Sequence, residues 1–77
     1  MMYEYNVYQE ASNEKFLETC QYIESFIPNI VKENLLVDVD GTGIQRYFKG
    51  NQEIKVYNDY EVDAVYVESD IELPSVR

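Results

Sequence analysis

The sequence predicts an α+β domain in which one amphipathic helix packs on a small antiparallel sheet, in the order β-α-β-β-β. Two changes of pattern carry that prediction. A short alternating run near the N-terminus gives way to apolar residues at three- and four-residue spacing. After Leu35 the alternation returns, punctuated by Asp40-Gly41 and Gly50-Asn51, pairs that tolerate the positive φ of tight hairpins. With a single amphipathic helix and few other apolar surfaces, that helix must cover one face of the sheet.

The first strand is "YEYNVY", with Tyr3, Tyr5 and Val7 on one face. The helix follows in "EASNEKFLETCQYIESFIP", where Phe16, Leu17, Cys20, Ile23 and Ile27 form the apolar stripe. Ser12 or Asn13 can cap its start, and Glu14 suits a first turn whose dipole favours negative charge. Pro28 cannot continue the ladder, so the helix should stop near Ile27, and "PNIVKEN" is read as a further short turn or helix.

From Leu35 the chain reads as sheet: "LLVDVD" runs into the Asp-Gly turn, and "IQRYFK", "QEIKVY" and "EVDAVYVES" then read as three strands of a meander that the first strand joins. In the last of them neither face is cleanly polar, which points to a bulge or to a second surface that needs covering. One domain is expected over residues 1–68. Residues 69–77 are expected to fray as an acidic tail, because Pro74 counts against a strand.

The 77 residues carry 15 acids against six bases, a formal net charge of −9. The imbalance is concentrated at the two ends of the chain, and the middle segment, 35–58, is balanced. Such a surface repels nucleic acid and anionic membranes and attracts a basic partner. High charge often accompanies disorder, but 45% hydrophobic residues and eight tyrosines argue for a folded core. No basic leader and no long apolar run is seen, so a cytoplasmic protein is expected. Cys20 is the only cysteine and reads as a buried small side chain.

Asp38-Val39-Asp40-Gly41-Thr42, after the apolar run Leu35–Val37, resembles motif I of the haloacid-dehalogenase-like phosphohydrolases. The resemblance implies a nucleophile at Asp38, an acid and base at Asp40, and Mg²⁺ beside a phosphate. It covers about eight residues, however, and that family's parallel units take roughly 30 residues or more each. Only 35 residues follow Thr42, and they look like hairpins. Lys49 and Lys55 fit the family's downstream lysine only if the intervening fold is ignored. The chain has no histidine, so the commonest base and metal ligand is missing. The motif therefore reads as a hairpin turn, and no catalysis, cofactor or metal site is expected.

The acids point elsewhere. Glu14 and Glu18 are one helical turn apart, and Glu61/Asp63 and Glu68/Asp70/Glu72 lie two residues apart. A helical turn rises about 5.4 Å and two extended residues span about 6.6 Å, a pitch at which rows of carboxylates can imitate phosphates. Tyr57 and Tyr60 flank an expected turn and are candidate anchors, since tyrosine offers rigid contact area with a polar tip.

The expected function is an acidic nucleic-acid mimic that inhibits a basic DNA- or RNA-binding protein by occupying its groove. In size and charge it resembles the small DNA mimics of phages and mobile elements. The competing expectation is a non-enzymatic adaptor that binds through tyrosines and a sheet edge, its acidity serving solubility alone. A homodimer is also expected, because the core is small and the last strand is apolar on both sides; its contact must be apolar or include Arg46, Lys49 and Lys55 to offset the net charge.

Overall fold

The computed structural model describes residues 2–74. Its elements are β1 (Tyr3–Tyr8), α1 (Asn13–Phe26), β2 (Val31–Lys32), β3 (Leu36–Val37), β4 (Gly43–Lys49), β5 (Gln52–Asp59) and β6 (Ala64–Ser69). The helix lies against a single antiparallel sheet of order β1-β6-β5-β4-β2, with β3 also pairing β4. The α+β architecture and the antiparallel meander are thus as the sequence pattern predicts.

Ser12 caps the helix, its side chain accepting from the Lys15 N–H at 3.2 Å. Ile27 closes it, donating its N–H to the Ile23 carbonyl at 3.1 Å. Phe16, Cys20, Ile23 and Ile27 are buried against Tyr47, Ile54, Val56, Val67 and Leu73. Leu17, expected in the same stripe, is 49% exposed, lining an open cleft with Phe16, Lys32 and Leu35 instead of entering the core.

Alternation fixes the two faces of the sheet. Gln45, Tyr47, Ile54, Val56, Asn58, Val65, Val67 and Ser69 face the helix and are buried. Ile44, Arg46, Phe48, Glu53, Lys55, Tyr57, Asp59, Ala64, Tyr66 and Glu68 form the opposite face, which no element among the described residues covers. The apolar ambiguity of the last strand resolves here. Val65 and Val67 enter the core, Ala64 and Tyr66 line the open face, and Val62 and Asp63 belong to the preceding turn. A register shift falls in the β1–β6 pairing, between Asn6 and Tyr8.

Three local expectations change. The segment after Pro28 forms the edge strand β2 rather than a second helix, with Val31 opposite Phe48 and Lys32 opposite Tyr47. The "LLVDVD" strand shrinks to Leu36–Val37, since Asp38 already begins the turn. The expected frayed tail is packed as far as Pro74: Ser69 closes β6, Leu73 is fully buried, and its N–H donates to the Tyr5 hydroxyl at 2.8 Å. Burying one leucine holds this segment against the core despite the proline that follows it. Residues 75–77 lie outside the described residues.

Candidate partner-binding surfaces

Asp38 to Thr42 form the β3–β4 turn. The Asp38 N–H donates to the Thr42 carbonyl at 2.9 Å, and the Gly41 N–H donates to the Asp38 carbonyl at 3.0 Å. Asp38 Oδ1 accepts from the Val39 N–H, and Asp40 Oδ1 accepts from the Thr42 N–H at 2.9 Å, which holds the Asp40 carboxyl below its usual range. Gly41 takes φ +90°, a conformation open to glycine. The strand before the motif runs antiparallel to the strand after it, so the parallel arrangement implied by the phosphohydrolase resemblance is not what these residues build. Among the described residues no three His, Cys, Asp or Glu side chains gather as a metal-binding group.

The same end of the molecule collects acids from four parts of the chain. The Ala11 N–H donates to Asp63 Oδ1 at 2.8 Å and the Ser12 N–H to Asn58 Oδ1 at 2.9 Å, so the helix start is tied to the β5–β6 turn. The Tyr60 N–H donates to Thr42 Oγ1 at 3.1 Å, and the Tyr60 ring lies over Gly41, tying in the β3–β4 turn. Glu10, Glu14, Asp38, Asp40, Glu61 and Asp63 are exposed there, with half-buried Asp59 beneath them. Asp59 organises the turn, accepting from the Glu61 and Val62 N–H groups at 2.9 and 3.2 Å and from the Tyr66 hydroxyl at 3.0 Å. The local cation is Lys15, already held by Glu18 at 3.5 Å and lying over the Tyr8 ring. Seven of the chain's 15 acids thus share one pole, and exposed Val39, Tyr60 and Val62 stand among them.

This distribution regroups the residues singled out from sequence. Glu14, Tyr60, Glu61 and Asp63 belong to the pole, and Glu18 flanks it one helical turn away. Asp70 and Glu72 do not join them. Asp70 lies beyond the other end of β6, roughly 20 Å away at about 3.3 Å per residue, and its Oδ2 accepts from the Glu53 N–H at 2.9 Å. Glu68 sits on the open sheet face. Tyr57 is there too, inside β5 instead of flanking a turn. Its ring stacks on Tyr66 at 4.5 Å, and its hydroxyl donates to Glu68 at 3.1 Å. Burial, then the Glu68 carboxylate, pushes the Tyr57 hydroxyl up to about 12.

Glu10 extends the Glu14/Glu18 row by one four-residue interval but lies before the Ser12 cap, whereas the sequence pattern gives no sign that Asp38 and Asp40 join the same acidic surface. Those two are distant from the row in the chain, and only the shared end of the sheet brings them to it. A second surface missed in detail is the β2–β3 edge, where Val31, Leu35, Leu36 and Val37 are 45–64% exposed. Beside it a cleft of about 480 Å³ opens between edge and helix, lined by Phe16, Leu17, Cys20, Lys32, Leu35 and Gln45. In its floor, burial raises the Cys20 thiol above its ordinary range. Comparison with family models, curated proteins and solved structures finds no match to the chain.

Proposed function

We propose that this protein is a non-catalytic acidic mimic that occupies the nucleic-acid-binding groove of a basic protein. The observation that carries the reading is the convergence of Glu10, Glu14, Asp38, Asp40, Asp59, Glu61 and Asp63 at one pole, where the nearest lysine is already engaged. Neutralising that charge internally would stabilise a free monomer, so its retention fits a surface completed by an external cation-rich partner. The carboxylates pair with lysines and arginines that otherwise hold phosphates, in charge-assisted hydrogen bonds. Val39, Tyr60 and Val62 supply the desolvated contact that slows dissociation, while the surrounding charges speed encounter.

The test is competition. A partner captured from native-host extract on the immobilised protein should be released by a DNA or RNA duplex, and capture should weaken steeply between about 0.1 and 0.5 M salt. Reversing Asp38, Glu61 and Asp63 to lysine should abolish capture. A ternary complex with nucleic acid, or undiminished capture by the triple variant, defeats the reading.

The exposed apolar β2–β3 edge favours a second reading, an adaptor that receives an extended peptide as an added strand. Such a partner would hold nearly as well at high salt, and would be lost on Leu36→Lys rather than on reversal of the pole.

A further inference from the structure

We infer that the open face of the sheet is a self-complementary interface through which two copies of this chain pack face to face, with the two-fold axis parallel to the strands and between β5 and β6. The face carries one cross-strand row of four charges. Arg46 on β4 lies opposite Lys55 on β5, Lys55 opposite Glu68 on β6, and Glu68 opposite Glu4 on β1. Its sequence is therefore plus, plus, minus, minus.

Within one chain this order is a poor one. Like charges directly opposite each other destabilise a sheet, and the row contains two such pairs. Among the described residues neither Arg46 nor Lys55 makes an ion pair, and Arg46 Nε is shielded from solvent without a hydrogen-bond partner. Two of the chain's six bases are thus spent side by side on one face of a protein of net charge −9.

Facing a second copy, the same order becomes complementary in one orientation. A two-fold axis along the strands reverses the row, setting Arg46 of one copy over Glu4 of the other and Lys55 over Glu68. An axis across the strands would instead set each charge over itself. Strands spaced about 4.8 Å apart place the outer pair roughly 7 Å from the axis, where the usual crossing near −30° displaces long side chains by only a few ångströms. The neighbouring row is Ile44, Tyr57, Tyr66 and Asn6. The same operation sets each stacked Tyr57–Tyr66 pair against its counterpart, an aromatic centre flanked by the charge row. An interface of standard size takes about 800 Å² from each partner, roughly a sixth of this chain's 4995 Å² surface, which a sheet face of this extent can supply.

The dimer stands independently of what the acidic pole binds. It has one consequence for that pole: an axis along the strands leaves both poles at the same end, presenting a two-fold-symmetric acidic surface.

Sedimentation at about 100 µM, well above a micromolar dissociation constant, should show wild-type protein at twice 9.1 kDa. The double variants Arg46→Glu/Lys55→Glu and Glu4→Lys/Glu68→Lys should each sediment as monomers. Mixed in equal amounts they should recover the dimer mass, since an all-negative row then faces an all-positive one. A wild-type monomer overturns the proposal, as does a dimer that survives either double reversal, or folded variants that fail to reassociate. As a measurement that needs no variant, diluting the unaltered protein should shift the amide resonances of Arg46, Lys55, Tyr57, Tyr66 and Glu68 while those of helix residues stay fixed. Dilution shifts centred elsewhere, or none, overturn it equally.

Discussion

Tyr47 is fully buried, and its hydroxyl donates to Glu24 at 2.6 Å, while Lys32 holds the same carboxylate at 3.0 Å. The bond to Tyr47, then the lysine, draws the Glu24 carboxyl below its ordinary range, and burial with the Glu24 bond drives the Tyr47 hydroxyl well above its own. For a carboxylate the depressed native value means that the folded state binds fewer protons than the unfolded one. Its contribution is therefore complete above about pH 4.3 and is lost as pH falls through the native value. Tyr47→Phe should cost about 1–2 kcal/mol at pH 7 in urea denaturation, and clearly less at pH 3. Equal losses at the two pH values would mean that the carboxylate's charge contributes nothing to this contact.

At the scale of elements, the helix shows how one stripe divides between core and edge. Ile23 is fully enclosed and Leu17 half exposed, although both fit the same apolar periodicity. Ile23→Ala should lose about 2–5 kcal/mol by transfer and cavity terms, whereas Leu17→Ala should stay within about 0.5 kcal/mol. Chemical denaturation of both variants checks this, and comparable losses would place Leu17 in the core. Elements with a strong local signal were legible before the structure: the Ser12 cap, the stop at Ile27, the hairpin glycines and the alternation through β4 and β5. What was not legible depends on distant partners. β2 and β3 are two-residue strands whose pairing is dictated by β4, and "NIVKENLL" carries no period of its own. Leu73 is buried by a contact 68 residues away with Tyr5, which no local rule foresees beside Pro74. The acidic surface followed the same logic. Residue spacing identified Glu61 with Asp63, but only the alignment of strand ends separates them from Asp70 and adds Asp38 and Asp40.

For the molecule as a whole, the convergence of acids has a thermodynamic consequence. Folding draws carboxylates that are far apart in the extended chain onto one pole, so the native state carries more self-repulsion than the unfolded one. Mobile ions screen exposed charges beyond about 8 Å at physiological ionic strength and leave the packed core untouched. Stability should therefore rise as salt increases from about 0.02 to 0.2 M, opposite to a fold held by surface ion pairs. Exposed Glu61 uses only its backbone N–H in the β5–β6 turn, so Glu61→Gln removes charge without removing a side-chain bond. It should raise the melting temperature by a few degrees, since about 1 kcal/mol corresponds to roughly 4–8 °C in a domain of this size. The gain should shrink as salt is added. Melting curves taken at low protein concentration, where ion pairs between copies cannot contribute, decide the point. A melting temperature that falls with salt, or a Glu61→Gln variant less stable than wild type in dilute buffer, would show that the pole is neutralised from within the fold.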